Sequence, residues 1–146
     1  MESVTILAVL KQIPLFQELN EIDHQDVANR VVMNYHQAGK VLCREGEPGT
    51  TLYIVKSGMV KISRKDQSGA DREVATLGGN DFFGEMALIS DEPRNATATV
   101  IEDAAVFELS KSDFFKLIEK TPGLANRIST EFIARVKANS QKSIDV

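Results

Sequence analysis

With a single cysteine, Cys43, the sequence has no intrachain disulfide framework, which fits a reducing compartment. It also lacks any apolar run long enough to span a bilayer, and its start, Met1-Glu2-Ser3, lacks the basic opening and apolar core of a secretion signal. The expectation is a cytoplasmic protein without a transmembrane segment. An excess of basic charge is missing too. Lys and Arg number 17 against 21 Asp and Glu, a net charge of -4 and a pI near 5.2, which disfavours nonspecific nucleic-acid binding. Arg135, Lys137 and Lys142, mixed with Asn, Gln and Ser, read as a solvated tail. There is no repeat and no low-complexity segment. His24 and His36 have no cysteine partners or repeated carboxylate spacing, so no metal site is expected. His24, beside Asp23 and Asp26, is expected at the surface. Glu85 lacks a second acid, a metal set or an activated nucleophile at a persuasive spacing, so the chain is expected to be neither an enzyme nor a holder of a cofactor.

What is present is a chain of 146 residues, 42% apolar and 26% charged, enough for one domain with a real core. Ile6, Leu7, Val9, Leu10 and Ile13 are spaced for a short helix ending before Pro14. Asn20 is placed to cap a second helix running to about Met33, with Ile22, Val27, Val31 and Val32 as its apolar face. Between Gln37 and Leu109 the pattern changes to short apolar runs, such as Thr51–Val55 and Met59–Ile62, broken by glycine-rich turns. That pattern predicts a compact antiparallel barrel or roll, with Cys43 an inert, packed or half-packed thiol in one strand. After Leu109 helical spacing returns. Ser110 caps a helix with Asp113 at its third position and Phe114, Phe115, Leu117 and Ile118 as a buried face. Thr121-Pro122-Gly123 then breaks the chain before a last helix to about Ala138, whose stripe Leu124, Ile128, Phe132 and Val136 must cover the roll, another subunit or both.

The strongest chemical signal lies in Phe82–Val100, FFGEMALISDEPRNATATV. Gly84 removes side-chain bulk where a ligand or a tight turn meets the backbone. Glu85-Met86-Ala87-Leu88-Ile89 can form about one helical turn whose first amides attract an anion. Arg94 adds a permanent charge and a planar fork suited to two phosphate oxygens. Ala96 is small enough for its amide to approach the same anion, and Glu85 suits a sugar hydroxyl better than a phosphate. The segment thus combines acceptor chemistry for a ribose with donor chemistry for a phosphodiester.

Gly84-Glu85-Met86-Ala87-Leu88 followed by Arg94-Asn95-Ala96-Thr97 closely resembles the phosphate-binding cassette of the cyclic nucleotide-binding domain family. Gly39, Gly46 with Gly49, Leu52-Tyr53, Gly58 and Phe83-Gly84-Glu85 agree with it, so the resemblance covers nearly the whole chain. It implies a mainly β fold with flanking α: an eight-stranded antiparallel beta roll, jelly-roll-like, with N-terminal helices and C-terminal lid helices. The expected single domain, 1–146, has helices at about 4–33, the roll at about 36–109, C-terminal helices at about 111–138 and a flexible tail at 139–146. The resemblance further implies that Arg94 meets the exocyclic phosphate oxygens, helped by the amides of Ala87 and Ala96. Glu85 and the Gly84 backbone would meet the ribose 2'-hydroxyl, and Phe132 is a candidate to cap the purine. The expected ligand-binding set is Gly84, Glu85, Met86, Ala87, Arg94, Asn95, Ala96 and Phe132. Asn80 stands where the family often has a turn glycine, and Asn tolerates the left-handed geometry required there.

The function these readings imply is a non-catalytic regulatory sensor that binds a cyclic purine nucleotide, cAMP first and cGMP second, and signals by moving its C-terminal helix. Asn95 matches neither the Ala of cAMP-selective nor the Thr of cGMP-selective kinase sites. The alternatives are a ligand-silent beta-roll adaptor working through protein contacts, or an excised regulatory domain of a channel or kinase. The C-terminal helix could dock an unknown protein partner or form a homodimer. Only 14 residues follow Phe132, too few for a DNA-reading helix-turn-helix.

Overall fold

The computed structural model describes residues 2–17, 19–121, 123 and 124. Helix α1 spans Glu2–Leu10, a 3-10 turn covers Pro14–Phe16, and α2 runs over Glu21–Ala28. The strands are β1, Val32–His36; β2, Val41–Cys43; β3, Thr51–Lys65; β4, Asp71–Leu77; β5, Phe82–Phe83; and β6, Thr97–Ser110. A second 3-10 turn, Glu85–Leu88, lies between β5 and β6, and α3 spans Lys111–Lys120. The expected last helix beyond Leu124, with Phe132 and the 139–146 tail, lies outside the described residues.

All strand pairs are antiparallel, in the order β1-β6-β3-β4, with β2 on β6 and β5 on β3. Among the described residues the sheet has six strands rather than the eight expected; Thr51–Val55 and Met59–Ile62 belong to one continuous strand, and Thr97–Ser110 is a second long one. Gly58 makes this continuity workable. It sits at φ +88, where the β3–β6 register shifts, and an added Cβ would run into the backbone of Asp103 and Ala104. The chain bends there without leaving the ladder. At Asn80 the expected left-handed turn is present, with φ 73.

Alternation along β3 builds two cores from one strand. Leu52 and Ile54 join Leu10, Ile13, Phe16, Phe107 and Phe114 on the helical side. Tyr53, Val55, Val60 and Ile62 point the other way and pack with Phe83, Ala98, Val100 and Val106. The segment from Phe83 to Ala96 passes between the two, contributing Leu88 to the first core and Phe83 and Ala96 to the second.

The N-terminal elements depart from the sequence reading in three ways. Helix α2 ends at Ala28 and Met33 pairs with Phe107 in β1, so β-branched Val31 and Val32 lead into a strand instead of extending the helix. Helix α2 turns Asp23, His24 and Val27 inward, at the i, i+1 and i+4 positions of one face, and leaves Ile22 73% exposed. His24 is therefore buried, with Nε2 2.6 Å from the Phe16 carbonyl oxygen. The two expected caps form: the Asn20 side chain accepts from the Asp23 amide at 2.8 Å, and Ser110 Oγ accepts from the Asp113 amide at 3.1 Å. On α3, Phe114 and Leu117 are buried and Ile118 is half-buried, but Phe115 faces outward at 45% exposure, since a ten-residue helix presents one stripe to the sheet.

Candidate functional site

Gly84 opens the site. Its φ of +81 reverses the chain after β5 and starts the 3-10 turn over Glu85–Leu88. Close approach forbids a side chain at this position as well: an added Cβ would collide with Arg94 Nη1 and lie 2.9 Å from the Thr51 carbonyl oxygen. Opposite, a Cβ on Gly49 would sit 2.9 Å from Arg94 Nε and 3.1 Å from Ala87 Cβ. The guanidinium thus occupies a slot between two bare backbone faces.

Arg94 itself is 4% exposed, an unusual burial for this residue type. Its backbone is pinned on both sides, with its amide donating to Glu47 O and its carbonyl accepting from the Gly46 amide, each at 2.8 Å. Nη2 donates to Thr51 O at 2.6 Å, and the guanidinium carbon lies 5.8 Å from the centroid of the Tyr53 ring. Tyr53 in turn stacks on Phe83, with centroids 4.9 Å apart and planes 19° apart, and donates from its hydroxyl to Leu42 O at 3.1 Å. Burial pushes the Tyr53 phenol up, reinforced by the Glu108 carboxylate. It pushes the Cys43 thiol up too, against a smaller opposing effect of Arg94, and the thiol is half-buried in β2.

Glu85 is buried at 6% exposure, and its Oε2 accepts from the Leu15 amide in the first 3-10 turn at 3.4 Å. Two buried side chains of opposite sign therefore belong to this segment, Arg94 against the Gly84 backbone and Glu85 against the Leu15 amide. Ala87 and Ala96 are both buried, and the Ala87 amide donates to Gly84 O at 3.1 Å. Met86 is half-buried and packs against the helical core. The Asn95 side chain is exposed, while its carbonyl accepts from Arg64 Nε at 3.1 Å. Seven of the eight expected site residues thus fall in one cassette; the eighth, Phe132, lies outside the described residues.

Sequence reading passed over Thr51, Leu15 and Lys111. Thr51 and Leu15 act through main-chain atoms, which carry no mark in the residue type. Lys111 holds the far end of the cassette, donating from Nζ to Ser90 O at 3.0 Å and pairing with Asp91. Arg64 was passed over too, although its position on β3 three residues before a turn gave no cue to the Asn95 carbonyl. Among the described residues no three His, Cys, Asp or Glu side chains converge for a metal, and no helix is long and apolar enough to cross a membrane.

The family model of the cyclic nucleotide-binding domain matches residues 33–121. The chain is 35% identical over 109 residues to the cAMP-dependent protein kinase regulatory subunit of Yarrowia lipolytica, covering 75% of this chain and 28% of that protein. It is 30% identical over 128 residues to the cyclic AMP receptor protein of Thermus thermophilus, covering 88% and 59%. The solved regulatory domain of Toxoplasma gondii PKA with cAMP superimposes with a TM-score of 0.72 at 33% identity, over 82% of this chain and 45% of that one. The fold and the cassette therefore define a regulatory domain of the non-catalytic kind. The chain belongs to the cyclic nucleotide-binding domain family. It spans less than two thirds of each of those relatives.

Proposed function

We propose that residues 1–146 act as a single cytoplasmic sensor domain that takes up a cyclic purine nucleotide, cAMP before cGMP, and answers with a movement of its C-terminal helix. The observation that carries this is the burial of both Arg94, against the Gly84 backbone, and Glu85, the residue that follows it. Burying two charges costs free energy, and a site that binds a phosphate beside a sugar hydroxyl is a reason to retain them. Arg94 would exchange the Thr51 carbonyl for the exocyclic phosphate oxygens, with Ala96 and Ala87 lending amides once the turn relaxes. Glu85 and the Gly84 backbone would accept the ribose 2'-hydroxyl. Asn95 and Met86 would line the edge of the site, and Phe132 would close on the base. The preference for cAMP leans on the names of the relatives, two of which are described by that nucleotide.

A second reading has its own observation. Arg94 Nη2 and the Ala87 amide already have partners within the chain, as a ligand-silent adaptor would require. Calorimetry with cAMP and cGMP separates the two. Saturable uptake by the wild type, lost in Arg94→Ala, supports the sensor; no uptake of either nucleotide supports the adaptor. Whatever larger assembly the domain serves, a kinase or channel regulator or a homodimer through the C-terminal helix, its output depends on that first step.

A further inference from the structure

Lys111 bonds at once to the residue before Thr51 and to the segment between Gly84 and Arg94. Its amide donates to Thr50 O at 2.7 Å, one residue before the Thr51 carbonyl that holds Arg94. Its Nζ donates to Ser90 O at 3.0 Å and to Asp91 Oδ1, at the far end of the segment that begins with Gly84. The side chain is only 18% exposed although Asp91 is fully exposed, and its ammonium lies 5.8 Å from the Phe115 ring centroid on the same helix. The bond to Asp91 also holds that carboxyl below its usual range, the hydrogen bond acting ahead of the charge. Lys111 is the first residue of α3, and the preceding residue, Ser110, is paired with Thr51 at the end of the β3–β6 ladder. The helix start is thereby fixed to the sheet by main chain and to the cassette by side chain.

We infer that Lys111 is the positioning residue that couples the cassette to α3, its main chain anchored at Thr50 and its ammonium holding the Ser90 carbonyl. The inference rests on the sensor reading above. If the 84–94 segment closes around a phosphate, Ser90 shifts relative to Thr50. Lys111 must then either carry the start of α3 with it or release its hold, and both alter the helix. A side chain with charge and reach is needed, because the carbonyl and the carboxylate it joins are acceptors only.

The test uses the full chain in a Cys43→Ser background, with spin labels at the exposed positions Gln67 and Glu119, and cAMP as the probe. In the otherwise unaltered protein, cAMP should shift the Gln67–Glu119 distance distribution. Lys111→Met keeps an unbranched apolar stem and, because Lys111 lies outside the expected ligand-binding set, should retain cAMP affinity within about fivefold. It should nevertheless lose most of the shift, and Lys111→Gln should match it while Lys111→Arg restores the response. Full displacement in Lys111→Met, or a collapse of affinity in that variant, overturns the inference and leaves the sensor reading standing. Uptake without any displacement in the parent overturns it also. Absence of cAMP uptake by the parent overturns the sensor reading itself, and this inference with it.

Discussion

Arg94 Nη2 lies 2.6 Å from the carbonyl oxygen of Thr51, so the cassette's buried cation is held by the strand it packs against. A phosphate entering the slot must offer the guanidinium more than this neutral acceptor, and two anionic oxygens in a fork do so. Arg94→Ala should weaken cAMP binding by about 100-fold or more, the loss of two charge-assisted hydrogen bonds. Arg94→Lys, which retains the charge but not the fork, should fall between. Calorimetry gives both numbers, and melting curves should show cAMP raising the Tm of the wild type and not of Arg94→Ala.

The ribose assignment has a separate signature. If Glu85 accepts the 2'-hydroxyl, 2'-deoxy-cAMP should bind the wild type about tenfold more weakly than cAMP. Glu85→Gln should narrow that gap. Competition titrations with the two nucleotides measure it, and an equal gap in the variant would remove Glu85 from the sugar.

Gly58 carries the bend in β3, so Gly58→Ala should destabilise the fold by about 2–5 kcal/mol, the sum of the left-handed penalty and overpacking against Ala104. Urea denaturation should show a lower midpoint with an unchanged slope. Loss of stability below about 1 kcal/mol would mean that the bend can be made without a bare backbone.

The β3–β4 turn supplies a pH readout. Asp66 accepts from the Ser68 hydroxyl and from Arg72, and with the Ser68 and Ala70 amides these hold its carboxyl at about 2, below the usual 3.8. A depressed folded value means the contribution is present above the unfolded pKa and is lost as pH falls through the folded one. The Ser68 and Ala70 amide resonances should therefore hold steady down to pH 4 and shift together with a midpoint near 2. Asp66→Asn should abolish that step.

Much of the cassette was legible because Gly84, Glu85 and Arg94 concentrate unlike chemistry in a short window. The caps Asn20 and Ser110 were legible for a similar reason, since each is a local side chain reaching a backbone amide three residues on. The burial of His24 was not, because α2 is short and nearly even in polarity, and packing against the Phe16 turn rather than periodicity chose its inner face. The first residues of β1, Val32 and Met33, read as the end of a helix because Val31 to Met33 are apolar enough for either, and only the pairing with β6 decides. Thr51 and Leu15 could not be found at all: what they contribute is a carbonyl and an amide that every residue but proline possesses.

The Leu15 contact extends the working unit past the stretch matched by the family model. The family model begins at Met33, yet the Glu85 carboxylate reaches back to a turn placed by the preceding helix. A chain begun at Met33 would bare Leu52, Ile54, Phe107 and Leu109 to water and leave a buried carboxylate without this donor. The boundary that matters for chemistry therefore lies upstream of the boundary drawn by the family model.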